Sequence, residues 1–443
     1  MLFNLDSNHS FRLTLATIAV VTAYIIAYCM NYTPPLLFAI SILLIYFSAP
    51  PRFIVHPLNV LTGYYFLFYC LALMFGEKWQ MLFTFSTKTE ILTSCMNCAT
   101  FLIAYNILYR TTKDCINEKR LFDKNIEKKQ FNAFIPLFHI ALSFLALCLV
   151  IFLSQFPLSV WLTSPGTAYQ DRSGTGYAII IIMFLSSYIL AYGGYLIYST
   201  PTFRKKIYLL SCYLLAGFFL YIPILSRPRL MLFTLLIMLP YVFFVRLKIK
   251  TALIFIAIFF GSVLLSSLIR AAVDDSGNFL NFLWNYCDIY YWTTVIVDNE
   301  PVKWFATSFI GFKKFLLGSG HSPDSVYTIS QLFTEKYARE TFGGALGDRT
   351  TIQFPIEVDM YINTCYIGAV PFLSLYFWLV GLIYRRAFLT SNMGWMFIAT
   401  YVNLVILPST LRGMLLEYTL VQNTLICMST YFLLKKYIVS YQK

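Results

Sequence analysis

AFIPLFHIALSFLALCLVIFL, residues Ala133–Leu153, runs 21 residues without an aspartate, glutamate, lysine or arginine. As a helix it is about 30 Å long, the thickness of a bilayer's hydrocarbon core. The stretch before it, Arg110–Gln130 (RTTKDCINEKRLFDKNIEKKQ), holds seven basic residues. An apolar run of spanning length beside a basic segment marks a membrane helix with that segment on the cytoplasmic side. The pattern recurs along the chain. Of 443 residues, 59% are hydrophobic, 19% aromatic and only 12% charged, against about 25% charged in a soluble domain. That composition excludes two soluble domains, a secreted disulfide scaffold and a disordered chain. A polytopic transporter, channel or membrane-embedded enzyme remains.

Twelve spans are expected, at 11–30, 34–50, 57–75, 90–109, 133–153, 177–199, 207–225, 230–246, 251–269, 356–384, 394–411 and 415–434. The fold class is therefore all-α. The expected organisation is nine membrane helices in 1–269 with a basic inner loop at 110–132, one large outer loop at 270–355, and three membrane helices in 356–443. In this arrangement one face carries 20 basic and 5 acidic residues, among them Arg52, Arg204-Lys205-Lys206, Arg246, Arg385-Arg386 and Lys435-Lys436. The other face carries 13 basic and 15 acidic residues. The formal net charge of +13 is thus a topology signal with both termini cytoplasmic, and nucleic acid is not needed as a partner to explain it.

No cleavable leader is expected, because the stretch from Phe11 reads as a retained first span. Ten cysteines are present, mostly in or beside spans, with Cys287 alone in the large loop, so no disulfide framework is expected. Cys95 and Cys98 form a CxxC inside a span, and packing outweighs metal there. No metal site or cofactor is expected. The first outer turn, Asn31–Pro35, has no acid, Asp274 and Asp275 are adjacent, and no Walker, dinucleotide or HExxH motif occurs. One large outer loop late in the chain, without matched halves, fits an enzyme working at the outer surface better than a repeat-built transporter.

The candidate chemistry lies on that outer face. Ser226-Arg227-Pro228-Arg229 is a short hairpin between spans, and it holds Arg227 and Arg229 close to the interface. A guanidinium fork grips phosphate oxygens; the competing reading is a pair of anchors to lipid headgroups. Arg172, Arg270, Arg349 and Arg412 are further outer arginines for the same pocket, although Arg270 and Arg412 near helix ends also suit snorkelling, and Arg412 a pair with Glu417. The aromatics Phe279, Phe282, Trp284, Tyr286, Tyr290, Tyr291, Trp292, Trp304 and Phe305 suit either sugar stacking or an interfacial belt. His321, in Leu317-Gly318-Ser319-Gly320-His321, is the outer face's one histidine, a general base or a plain loop residue. Glu357 and Asp359 open the span at 356–384, where a helix N-terminus favours their ionised forms. At i, i+2 they point about 200° apart, so one carboxylate at most faces a site.

In layout the chain resembles the Wzy-type polymerases of the O-antigen polymerase and ligase superfamily. Three pieces carry the resemblance. Leu225-Ser226-Arg227-Pro228-Arg229-Leu230 is similar to the family's Ser-Arg turn, and Leu317-Gly318-Ser319-Gly320 to its Gly-x-Gly turn. Glu357-Val358-Asp359-Met360-Tyr361 with Tyr366-Ile367-Gly368-Ala369-Val370 is similar to the acidic start and glycine-containing centre of the next span. The chain departs from the pattern at Pro228 and Ala369, where small glycine-like residues are expected. The resemblance implies a GT-C-like fold in the bacterial inner membrane. It implies transfer of a glycan from undecaprenyl pyrophosphate to a sugar hydroxyl of another lipid-linked repeat unit, alongside a chain-length-regulating co-polymerase. Such a reaction needs cations for the departing pyrophosphate, which the arginines supply without metal, and a base, for which Glu357, Asp359 and His321 stand. An O-antigen ligase acting on lipid A-core shares this chemistry. A lipid-linked oligosaccharide flippase, by contrast, predicts charges lining a cavity along the spans, where this chain has few beyond the polar His139.

Overall fold

A computed structural model describes residues 3–31, 35–77, 83–116, 133–163, 176–221, 289–305, 354–390, 393–413 and 424–433, with 243, 246, 248, 333, 336 and 337. Among them every regular element is helical, apart from one antiparallel bridge between Phe53 and Arg246. The helices are α1 (Phe3–Cys29), α2 (Pro35–Ser48), α3 (Pro57–Tyr65), α4 (Thr87–Ile116), α5 (Phe134–Ser154), α6 (Leu158–Thr163) and α7 (Gly176–Ser199). They continue with α8 (Phe203–Tyr221), α9 (Ile289–Asn299), α10 (Ile356–Thr364), α11 (Val370–Thr390), α12 (Met393–Tyr401) and α13 (Leu407–Leu411). A π-helical turn at Phe66–Cys70 and a tighter turn at Leu71–Phe75 extend α3. A second π-turn, Val402–Ile406, joins α12 to α13.

Seven helical stretches among the described residues are long and apolar enough to cross a membrane. They are Asn8–Cys29, Pro57–Met74, Thr87–Cys115, Phe134–Ser154, Ala178–Ser199, Ile367–Thr390 and Gly394–Leu411. Two further expected spans appear, in their described parts, as the shorter apolar helices Leu36–Ser48 and Thr424–Leu433. The span expected at 207–225 falls, as far as it is described, in α8, which takes Arg204-Lys205-Lys206 into its first turn and is not among those seven. Those expected at 230–246 and 251–269 lie outside the described residues, save Phe243 and Arg246. Helix α1 shows what its composition is for. Leu13, Ala16, Val20, Tyr24 and Ala27 are buried at helical spacing, while Phe11, Ile18 and Ile25 on other faces are exposed. A helix that is apolar toward both core and exterior belongs in lipid, and the architecture is that of a helical membrane protein.

Helix α4 is the central post. Ser86 accepts from the Thr89 N–H at 3.1 Å and caps its start, and Glu90 in the first turn and Lys113 in the last suit the helix dipole. Helix α11 lies along it in the same direction, so closely that a Cβ on Gly381 would collide with Thr111, and Arg385 pairs with Asp114 at 2.6 Å. Helix α9 runs the opposite way along α4. Asn97 donates to the Tyr290 carbonyl (3.5 Å) and accepts from Thr293 (3.1 Å), Thr93 meets Thr294 (2.8 Å), and Thr89 donates to Asp298 (2.8 Å). Helices α5, α7 and α8 pack together around His139, whose Nδ1 lies 3.0 Å from the Tyr213 hydroxyl with Tyr192 edge-on. The mid-span histidine is therefore a bonded core residue.

One end of the bundle gathers several basic turns that the charge count places on a single face. Arg246 bridges to Phe53, Phe53 packs on Phe388 at 5.3 Å, and Arg385 meets Asp114. The connection between α2 and α3 is built into this end. Tyr105 donates to the Ala49 carbonyl (3.0 Å), Asn59 to Phe53 (2.7 Å) and Asn403 to Val55 (3.0 Å), satisfying backbone that is otherwise stranded in the core.

Two differences from expectation bear on the site. The segment 356–384 is not one helix: it breaks after Thr364, where Cys365 and Tyr366 take φ of 55° and 65° and their N–H groups return to the Tyr361 and Met360 carbonyls. Only then does the crossing helix begin, at Ile367. Second, the described part of the expected outer loop is not all surface. Tyr290 and Trp292 on α9 are buried in the bundle because their helix packs against α4, whereas Trp304 and Phe305 are exposed as expected of loop aromatics. No described cysteine is in a disulfide, Cys95 and Cys98 included; Cys287 lies outside the described residues.

Candidate active site

Pro355, in extended conformation, starts α10, and Glu357 in its first turn is completely buried. The Tyr65 hydroxyl donates to its Oε1 at 2.9 Å and the Tyr69 hydroxyl to its Oε2 at 2.7 Å. These tyrosines are four apart, on one face of the helical path where α3 passes into the π-turn, and their rings stack at 4.4 Å. The wider π-turn presents residues that a regular helix would rotate away, which is why such turns gather at functional sites. Thr100 on α4 also faces the carboxylate, and its hydroxyl meets that of Tyr366 at 3.0 Å, which itself bonds the Met96 carbonyl. Along α4, Thr100 lies about 20 Å in from Thr87. The carboxylate thus sits at membrane depth, held by side chains from two separate parts of the chain, the α3 segment and α4. Among the described residues no cation pairs with it.

Asp359 is equally buried but turns elsewhere, accepting from Asn363 at 2.7 Å on its own helix. The divergence follows from the i, i+2 spacing.

Arg412 ends α13. Its guanidinium lies over the Phe68 ring at 5.1 Å, with Nε buried and unbonded, so this arginine turns inward onto the Tyr65–Tyr69 segment. The next residue, Gly413, has φ +74°, and a Cβ there would sit 2.9 Å from the Phe354 carbonyl oxygen. The backbone beside Arg412 therefore packs directly on the residues that open α10. Arg412 and Glu357, 55 positions apart in sequence, thus border the same stretches of chain: the arginine packs on Phe68, between the tyrosines' positions, and the backbone after it packs on Phe354-Pro355, which opens α10.

The far end of α10 is fixed by a charged knot. Buried Glu300 meets Lys336 (2.5 Å), Lys303 (3.2 Å) and the Tyr337 hydroxyl (2.9 Å), while its carbonyl accepts from Tyr361. The Lys303 and Phe305 N–H groups donate to the Ile362 and Asn363 carbonyls, both at 2.9 Å. Burial pushes the Glu300 carboxyl up, but bonds from Lys336, Tyr337 and Lys303 outweigh it, and the net shift is downward.

Of the residues singled out in the sequence, Glu357, Asp359 and Arg412 lie in this region. Arg172, Arg227, Arg229, Arg270, His321, Arg349 and Glu417 lie outside the described residues. Sequence reasoning missed Tyr65, Tyr69, Thr100 and Glu300, and singled out Tyr366 only as part of the family-like stretch 366–370. A Tyr–Tyr pair at i, i+4 inside an apolar span was a usable signal, drowned among 33 tyrosines. No protein-family model, curated protein or solved structure matches the chain.

Proposed function

We propose that this protein is a glycosyltransferase of the bacterial inner membrane, with both termini cytoplasmic. It would join undecaprenyl-pyrophosphate-linked oligosaccharide repeat units into O-antigen or capsular polysaccharide, without metal. The observation that carries the reading is a buried carboxylate, Glu357, held at membrane depth by Tyr65 and Tyr69, with the Arg412 guanidinium turned inward onto Phe68 of the same segment. In the proposed reaction a sugar hydroxyl of the acceptor unit attacks the donor's anomeric carbon. Glu357 takes the hydroxyl proton, the new glycosidic C–O bond forms, and the bond to undecaprenyl pyrophosphate breaks. Two tyrosine donors hold the carboxylate in place. Arg412, with Arg227 and Arg229 from the sequence motif, stabilises the departing pyrophosphate.

The test is a lipopolysaccharide gel of a strain lacking the protein, complemented with parent, Glu357→Gln or Arg412→Ala. A ladder restored by the parent, and core bearing a single repeat with both variants at equal protein level, supports the proposal. Bare core with lipid-linked glycan at the outer face assigns the ligase reaction instead.

The same buried carboxylate favours a second reading, a lipid-linked oligosaccharide flippase, because Glu357 and the broken helix α10 lie at the depth where transporters bind their cargo. Accumulation of lipid-linked glycan at the inner face in the Glu357→Gln strain would select it.

A further inference from the structure

At the end of the bundle that gathers the basic turns, three buried polar atoms from three elements lack partners among the described residues: His56 Nε2, the Tyr384 hydroxyl and Asn403 Oδ1. All three residues are fully buried. The His56 and Tyr384 rings are edge-to-face at 4.7 Å. Asn403 donates its Nδ2 to the carbonyl of Val55, the residue bonded to His56, at 3.0 Å, which points Oδ1 away from that carbonyl and fixes the amide's orientation. Phe53, Phe243 and Phe388 pack around the same end.

The hydrogen-bonding roles are determined. His56 caps α3, its Nδ1 accepting the Leu58 N–H at 3.2 Å. Burial pushes the imidazole down to about 3, so the ring is neutral. A neutral ring that accepts at Nδ1 carries its proton on Nε2. The cluster therefore offers one donor (His56), one acceptor (Asn403) and one group able to act as either (Tyr384). Buried polar groups are rarely left unbonded, and each orphan costs about 1–3 kcal/mol. A water molecule has the complementary set and typically makes about three such bonds when buried.

We infer that His56, Tyr384 and Asn403 form a binding site for a buried water that joins the α2–α3 connection to α11 and to the π-turn before α13. The water accepts from His56, donates to Asn403 and bonds the Tyr384 hydroxyl. The π-turn is what brings Asn403 to the site, and the water supplies the hydrogen bonds which that turn and the inward loop leave unmade.

Tyr384→Phe tests this by sign, since it removes only the hydroxyl. If the hydroxyl binds water, the variant's thermal unfolding midpoint in detergent falls below the parent's. If the hydroxyl is an orphan, its removal relieves a buried unsatisfied group, and the midpoint rises or stays the same, which overturns the inference. A density map of the purified protein that resolves ordered water gives a second readout. A peak within hydrogen-bond distance of all three atoms supports the site. An empty space, or the three side chains bonded directly to one another, overturns it.

Discussion

Glu357, in the first turn of α10, and Glu300, bonded to its far end, are both buried acids, yet their surroundings give them different work. Glu300 is held by two lysines and a tyrosine, so it is a structural clasp with a depressed pKa. Its contribution to stability is in full force above the ordinary carboxylate range, about 4.3, and disappears as pH falls through the lower folded value. Thermal unfolding of the purified protein between pH 7 and pH 3 should show a steeper loss for the parent than for Glu300→Gln, whose neutral side chain cannot titrate. Glu357 instead has two phenol donors and no cation among the described residues. Removing one donor by Tyr69→Phe leaves a buried carboxylate under-bonded, at a cost of about 1.5–3 kcal/mol, seen as a lower unfolding midpoint. Glu357→Gln should reduce turnover by about 100-fold or more if the residue is the general base, with the amount of folded protein unchanged. The acid at the start of α10 was legible in the sequence, since charge at a span's edge stands out. Its tyrosine partners were not, because nothing in their own neighbourhood distinguishes them from tyrosines that merely pack.

Between elements, two glycines make contacts that no other residue allows. At Gly381 the α4–α11 approach leaves no room beside Thr111. Gly381→Ala should cost about 1–3 kcal/mol through overpacking. At Gly413 the positive φ and the nearby Phe354 carbonyl both oppose a side chain, so Gly413→Ala should lower the unfolding midpoint and displace Arg412 from the opening of α10. Gly63 on α3 is the control. Nothing lies within 4 Å of its would-be Cβ, and Gly63→Ala should be neutral or stabilising by about 0.4–1 kcal/mol. Denaturation midpoints of the three variants, measured side by side, check the order. The break at Cys365-Tyr366 belongs to this scale too. Neither residue is a helix breaker, and the following apolar run disguised it as the start of one long span. The break arises because Tyr366 reaches α4 and bonds the Met96 carbonyl and Thr100, a tertiary pull that overrides local helix preference.

For the molecule as a whole, the described basic turns gather at one end and the Glu300 knot lies at the other. With the basic end cytoplasmic, a cysteine placed at Lys303 should react with an impermeant thiol reagent on spheroplasts, and one at Lys205 should react only after lysis. Labelling at both positions, or at Lys205 alone, would reverse or dissolve that orientation. The sequence by itself determined the membrane class, the positions of most spans and the common face of the basic turns, because hydropathy and charge act locally and sum along the chain. Only the tertiary structure decided that Tyr290 and Trp292 of α9 are buried against α4, that α10 stands apart from α11, and that Glu357 meets Tyr65 and Tyr69. Those contacts join residues separated by up to nearly 300 positions. Within the apolar core they are chosen by which polar groups satisfy one another, and no single segment carries that information.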